Sequence, residues 1–253
     1  MQKLSAVIIT KNEERNIGRC IDSLIGIADE IIVVDSGSTD NTELICKEKG
    51  VNFHFNEWEG YIEQKNYANS LAQHQYILSL DADEALSEQL RESILRVKDL
   101  SSDAYEMNRL TNYCGKWIRH GGWYPDRKLR LFNKDIFLWG GDRIHESLVA
   151  RSEDVNTERL TGDILHYSYY DIAQHVAQAN HFTNMTAELA LEKGKNASLL
   201  RIMFSPAVKF IRDYFIKLGF LDGYNGYVVC RISAQATFMK YAKMRQMKKA
   251  KKA

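Results

Sequence analysis

The first hundred residues predict a doubly wound α/β sheet, and three observations carry that expectation. Short apolar runs alternate with helical patterns. The runs at 6–10, 30–35 and 76–81 are continuous rather than alternating, and each stops on polar or acidic residues. Strand–helix alternation implies parallel pairing, and continuous apolar runs imply strands buried on both faces.

In chain order, residues 6–10 form a β-branched strand. A helix follows over 13–24, with Ile17, Cys20, Ile21 and Leu24 at helical spacing and Asn12 as its N-cap. Residues 30–35 are a second strand, 39–49 a helix stopped by Gly50, and 51–55 a strand near a sheet edge. Residues 61–72 are helical, 76–81 a strand, and 87–100 a helix with Leu90, Ile94 and Val97 on one face. The pattern changes after Asp103. Short aromatic and β-branched runs at 104–110, 128–133 and 163–169 are separated by Gly- and aromatic-rich segments, which predicts a mixed sheet with functional loops. A long helix spans 171–193 and stops at Gly194. Ser205-Pro206 marks the start of another, with Ser as N-cap and Pro at the first helical position. A last helix runs from about Tyr227 into a lysine-rich tail.

At 253 residues, 45% hydrophobic and 26% charged, the chain reads as a soluble globular protein of one large or two small domains. Cys20, Cys46, Cys114 and Cys230 form no CxxC pair, which argues against a zinc ribbon or disulfide framework and fits a reducing compartment. Neither a signal peptide nor a spanning helix is expected. Eight basic and no acidic residues follow Asp222, so residues 1–222 carry −7 against a net charge of +1. An acidic body with a basic tail points to an anionic partner for the tail. The apolar residues of 205–220, flanked by lysines, either pack on the body or rest on an anionic membrane surface. No nucleic-acid-binding motif is present, so no nucleic-acid partner is expected.

In an open parallel sheet, ligands bind beyond the carboxyl ends of the strands. Those ends carry Thr10, Asn12 and Glu13, then Asp35 to Asp40, then Asp81-Ala82-Asp83-Glu84. None offers a Gly-rich phosphate loop, which argues against a dinucleotide oxidoreductase or P-loop enzyme. Asp81 and Asp83 fall on one side if the chain stays extended. Two readings of them are open. Either Asp81 ends a strand and Asp83 caps the next helix, or the two carboxylates serve a divalent ion that carries substrate phosphates.

Residues 6–13 (Ala-Val-Ile-Ile-Thr-Lys-Asn-Glu), 33–40 (Val-Val-Asp-Ser-Gly-Ser-Thr-Asp) and 80–84 (Leu-Asp-Ala-Asp-Glu) resemble, in order and spacing, the three signatures of family 2 glycosyltransferases. Residues 124–132, 144–146, 165–167 and 220–226 extend the resemblance to the lipopolysaccharide inner-core β-1,4-glucosyltransferase subgroup. The resemblance implies a GT-A fold, a mostly parallel Rossmann-like sheet flanked by helices, with a C-terminal helical extension. Residues 1–195 would form the catalytic domain: a nucleotide half over 1–103, an acceptor half over 104–170 and a long helix over 171–194. Residues 196–253 would be an amphipathic basic helical region.

It further implies an inverting, metal-dependent hexosyltransferase that moves glucose from UDP-glucose onto an inner-core heptose of a lipid-linked acceptor. The enzyme would be cytoplasmic and peripherally bound to the inner membrane. Thr10, Asn12, Glu13 and Asp35 would line the nucleoside pocket, Lys65 would lie near the nucleotide and Asp81 near the ribose or sugar. Asp83 would bind Mg²⁺ or Mn²⁺, with His166 a candidate further ligand. Glu146 and Asp142 are the candidate bases, Glu146 preferred, with an ion pair to Arg130 or Arg143 as its alternative role. Arg119, His120, Arg127 and Arg130 could hold a diphosphate or phosphorylated acceptor. Rival readings are a related transferase for another surface polysaccharide and a sugar-nucleotide-binding protein without turnover.

Overall fold

The computed structural model describes residues 2–97, 99–142 and 145–250, with Asp142 and His145 described in their backbone only. Two compact units result: Met1–Arg109 with Asp126–Tyr167, and Leu110–Pro125 with Ser168–Ala253.

The first unit opens with β1 (Leu4–Thr10), α1 (Ile17–Leu24), β2 (Glu30–Asp35), α2 (Thr42–Glu48), β3 (Asn52–Phe55), α3 (Tyr61–Leu71) and β4 (Tyr76–Asp81). The four strands pair in parallel in the order β3-β2-β1-β4. All seven residues of β1 are buried, and their alternation feeds two cores. Ala6 and Ile8 pack with Ile17, Ile21 and Leu24 of α1. Val7 and Ile9 lie with Ala68 of α3 and Phe132 on the other face. Each fully buried Ile or Leu contributes about 1.5–3 kcal/mol, which is why these runs are apolar on both faces but for the buried Ser5 and Ser79 and the polar residues at their ends.

After β4 come β5 (Glu84–Leu86), α4 (Glu88–Arg96), β6 (Ala104–Tyr113), β7 (Lys116–Ile118), β8 (Asp126–Asn133), β9 (Phe137–Asp142), β10 (His145–Ala150) and β11 (Thr157–Tyr169). The sheet continues as β4-β8-β6-β11-β5, with β8 antiparallel to β4 and β6 antiparallel to β8. The expected α/β architecture, parallel first and mixed after Asp103, is thus borne out. β9 and β10 form a separate antiparallel hairpin.

Three local expectations are corrected. The first helix begins at Ile17, not Glu13, because Asn12 adopts φ 55° and its Oδ1 accepts the Thr39 N–H at 2.8 Å. The chain does not stay extended through Asp83; it turns at Ala82–Asp83. Asp83 caps no helix either, since Ser87 accepts the Leu90 N–H at the start of α4.

In the second unit, Asp171 caps α5 (Ile172–Glu192) by accepting the Gln174 N–H. Ser198 caps α6 (Leu199–Ile211), so Pro206 lies inside the helix rather than at its start. A π-helical turn over Arg212–Ile216 and a 3₁₀ turn over Gly219–Asp222 lead into α7 (Gly223–Ala250). The 220–226 segment is a structural lock. Asp222 is buried and accepts the backbone N–H groups of Arg119 and His120 at 3.0 and 2.8 Å. Asn225 donates to the Tyr113 carbonyl at 2.9 Å. A Cβ on Gly226 would fall on the Gly219 carbonyl. His175 sits buried against the rings of Tyr113, Trp123 and Tyr169. Among the described residues, no helix is long and apolar enough to cross a membrane.

Candidate active site

Strand register assembles one side of the site. Thr10 lies opposite Asp35, Ile9 opposite Asp81, and Asp35 opposite Phe55, so these residues share the carboxyl edge of the parallel strands. Thr10 is buried, and its hydroxyl has no partner among the described residues. The Asp35 carboxylate turns back on its own loop. Its Oδ2 accepts the Gly37 and Ser38 N–H groups, both at 2.8 Å, and its Oδ1 accepts the Ser38 hydroxyl. Gly37 has φ 84°, a region that favours glycine. Asn12 ties the first strand's loop to the second's, its N–H donating to Ser38 Oγ at 2.7 Å. Glu13 accepts from Asn16 Nδ2 at 2.7 Å. Burial raises its carboxyl; the Asn16 hydrogen bond offsets part of that, and the Asp83 charge adds to it.

Asp81 and Asp83, separated by the turn, have different surroundings. Asp81 is gripped from two sides, by Lys65 Nζ at 3.0 Å and Arg130 Nη2 at 2.7 Å. Burial alone would raise its carboxyl, but Arg130 and then Lys65 outweigh that and hold it well below the usual range. Arg130 also meets the buried Glu84 at 3.1 Å, and Glu84 in turn meets Arg109 at 3.3 Å and accepts the Asp81 N–H at 3.0 Å. Arg130 is therefore a buried strut under the site. Asp83 has a different partner, its Oδ2 lying 3.1 Å from His166 Nε2. His166 Nδ1 is buried with no partner among the described residues.

The acceptor-side candidate joins through α3. Lys65 is only 2% exposed in its side chain, and its Nζ lies 3.6 Å from Glu146 Oε1 as well as 3.0 Å from Asp81. The adjacent Asn66 clamps β9, donating to the Trp139 carbonyl and accepting the Trp139 N–H, both at 2.9 Å. Trp139 also places its ring 4.4 Å from Lys65 Nζ. Glu146 lies opposite Gly141 in the β9–β10 hairpin, so the clamp on β9 fixes the carboxylate's position. Asp142 ends β9, but its side chain lies outside the described residues, as does Arg143. Glu146 pairs with Lys65, while Arg130 is committed to Asp81 and Glu84.

The sequence-expected residues Lys65, Asp81 and Glu146 thus form one cluster, with Asp83 and His166 a second pair. The basic set grouped from the sequence is divided. Arg127 lies 3.8 Å from Glu106 and Arg130 is buried in the first unit, whereas Arg119 and His120 belong to the second. Sequence reasoning missed Tyr61. It is the first residue of α3, and burial together with the charges of Asp81, Glu146 and Asp83 raises its phenol. Trp58 meets it edge-on at 4.7 Å. Two aromatics spaced by three residues ahead of Gln64-Lys65-Asn66 were the available signal.

The family model described as glycosyl transferase family 2 matches residues 5–146. An uncharacterized glycosyltransferase of Rickettsia typhi is 34% identical over 98% of this chain and 88% of its own length. The lipopolysaccharide core biosynthesis glycosyltransferase LpsC of Rhizobium meliloti is 29% identical over 96% of this chain and 92% of its own. Among solved structures, glucosyl-3-phosphoglycerate synthase of Mycobacterium tuberculosis is similar at 21% identity and TM-score 0.38, covering 44% of each chain.

Proposed function

Because the chain belongs to glycosyl transferase family 2, we propose that it is an inverting hexosyltransferase moving glucose from UDP-glucose onto an inner-core heptose of a lipid-linked lipopolysaccharide acceptor. The observation that carries this reading is the shared Lys65 cation, which holds Asp81 and Glu146 side by side at the strand ends. A donor-side carboxylate and an acceptor-side base must lie within one sugar of each other for in-line displacement. The relative that acts in lipopolysaccharide core biosynthesis supports the acceptor class.

In this reading Thr10, Asn12, Glu13 and Asp35 bind the nucleoside, Lys65 the nucleotide, and Asp81 the ribose or sugar. Glu146 takes the proton of the acceptor hydroxyl, whose oxygen attacks the anomeric carbon opposite the departing UDP. Asp142 is the alternative base. Asp83 and His166 would hold the divalent ion. Among the described residues no group of three His, Cys, Asp or Glu side chains could hold a metal. A pair of ligands nevertheless fits an ion that takes its remaining ligands from water and substrate phosphates. His166 Nδ1 has no partner among the described residues, so nothing described there anchors the far side of that ring. When bound, such an ion neutralises charge developing on the departing diphosphate. The basic C-terminus would keep the enzyme at an anionic inner-membrane surface, beside its acceptor.

The test is a panel of labelled UDP-sugars incubated with Mg²⁺, Mn²⁺ or chelator, comparing Glu146→Gln with Asp142→Asn. Metal-dependent turnover of UDP-glucose, lost by at least a hundredfold in Glu146→Gln, is expected. Unimpaired transfer by Glu146→Gln alongside a dead Asp142→Asn would reassign the base, and no turnover of any donor would defeat the proposal.

A further inference from the structure

α6 is a thirteen-residue apolar helix with no buried residue. Leu200, Met203, Phe204, Val208, Ile211 and Phe215 recur at helical spacing and are 52–67% exposed. At somewhat under 200 Å² per side chain, these six alone leave on the order of 600 Å² of apolar surface, the upper end of what a monomer leaves bare. The two turns that follow and the start of α7 add Ile216, Leu221 and Tyr224, 54–73% exposed. α6 also packs on α7, and Met203 and Ile211 of the bare face reach the seam between the two helices. Between the two helices runs an apolar groove of about 720 Å³, lined among others by Ile202, Pro206, Phe210 and Phe238, with Arg231 the one formal charge in its wall.

The exposed charges along this stretch of the chain have one sign. After Glu192 the chain holds fourteen Lys and Arg residues and two acids, Asp213 and Asp222. Both acids are buried, and Asp213 is ion-paired with Lys209 and Arg212. Every exposed formal charge among the described residues of this region is therefore positive, including Arg201, Arg212 and Lys217 beside the apolar face. A bare apolar helix whose own stretch of chain exposes only cations complements a layer that is apolar inside and anionic at its surface. At 1.5 Å per residue, α6 is about 20 Å long, too short to span a hydrocarbon core of about 30 Å.

The geometry points to α6 and the turn after it as a monotopic docking surface for an anionic phospholipid bilayer. α6 lies in the plane of the interface, and one lipid chain enters the α6–α7 groove with its phosphate near Arg231. This does not depend on which sugar is transferred, and it places the main anchor in α6 rather than in the lysine tail. Part of that tail is committed elsewhere. Lys243 donates to Asn180 O at 2.9 Å and to Thr183 Oγ1 at 2.8 Å on α5, and Lys248 donates to Asn196.

The test floats the full chain with vesicles of phosphatidylcholine alone or with 30% phosphatidylglycerol, at about 0.1 and 0.5 M salt. Wild type should bind the mixed vesicles and keep most of that binding at high salt. M203E/F204E should lose binding at least tenfold at both salts, whereas K248E/K249E should weaken binding only at low salt. Phe204→Trp should show blue-shifted emission on the mixed vesicles and quenching by brominated lipid. Unchanged flotation of M203E/F204E, or unshifted emission from the Phe204→Trp variant on bound vesicles, overturns the proposal. So does a wild-type dimer that M203E/F204E converts to monomer without loss of vesicle binding. UDP-glucose hydrolysis without vesicles should be equal in all these variants. Loss of that activity in wild type would count against the transferase reading and leave the docking result standing.

Discussion

Replacing Lys65 by Met removes the cation that, among the described residues, pairs with both Asp81 and Glu146, the proposed donor-side and acceptor-side carboxylates. The side chain is nearly fully buried, 3.0 Å from Asp81 and 3.6 Å from Glu146. Removing one partner of a fully buried ion pair costs about 3–5 kcal/mol. Two facts reduce that figure here. Asp81 keeps Arg130 at 2.7 Å, and its side chain is 28% exposed, so water can reach the freed oxygen. The expected loss is about 2–3 kcal/mol, or roughly 5–10 °C in Tm for a chain of this size. Urea titration of wild type, Lys65→Met, Asp81→Asn and the double variant forms a cycle. The double variant should be less destabilised than the sum of the singles by about 1–2 kcal/mol. Donor hydrolysis by Lys65→Met should fall at least a hundredfold, since Asp81 and Glu146 then repel each other with only Arg130 left to screen them. Additive effects in the cycle, or a Lys65→Met stability within about 0.5 kcal/mol of wild type, would refute the claim that this lysine joins the two halves of the site.

Three further outcomes are expected. Asn66→Ala removes both hydrogen bonds that clamp β9; it should cost about 1–3 kcal/mol in urea unfolding and lower kcat more than it raises the KM for the donor. Gly226→Ala puts a methyl group on the Gly219 carbonyl, so the protein should be insoluble or lose several kcal/mol by the same measurement, about 3 or more. Burial lowers His175 to about 4, so the folded state resists its protonation while the unfolded chain accepts the proton near 6.5. Stability should be full above about pH 6.5 and fall by at most about 3 kcal/mol as pH drops toward 4, and His175→Phe should flatten that slope in urea titrations at pH 4.5 and 7.

The parallel strands were legible because burial on both faces leaves an unambiguous apolar run. β2 and β4 occupy the expected residues. Helix starts were harder to read where polar residues serve distant partners. Asn12 looked like a cap, but its side chain holds the Thr39 loop. Ser205-Pro206 looked like a helix start, but Ser198 caps α6 and the proline is carried inside it. The β9–β10 hairpin was invisible as strands, because Gly140 and Gly141 break the apolar pattern. Gly140 lies against Val149, and Gly141 takes φ 106°. The site was legible as a set of strand-end polar residues. That Lys65 binds Asp81 and Glu146 together could not be read, because the three come from α3, β4 and a hairpin far along the chain.

The central claim is that the strand-end carboxylates form a metal-assisted transfer site. The most direct measurement compares UDP binding by calorimetry with glucosyl transfer to a truncated lipopolysaccharide acceptor, for wild type and Asp83→Ala. Wild type should form a β-linked product only with a divalent metal. Asp83→Ala should bind metal-free UDP within a few-fold of wild type and lose transfer by at least a hundredfold. Transfer by Asp83→Ala at the wild-type rate, or wild-type transfer undiminished by chelator, would contradict the account.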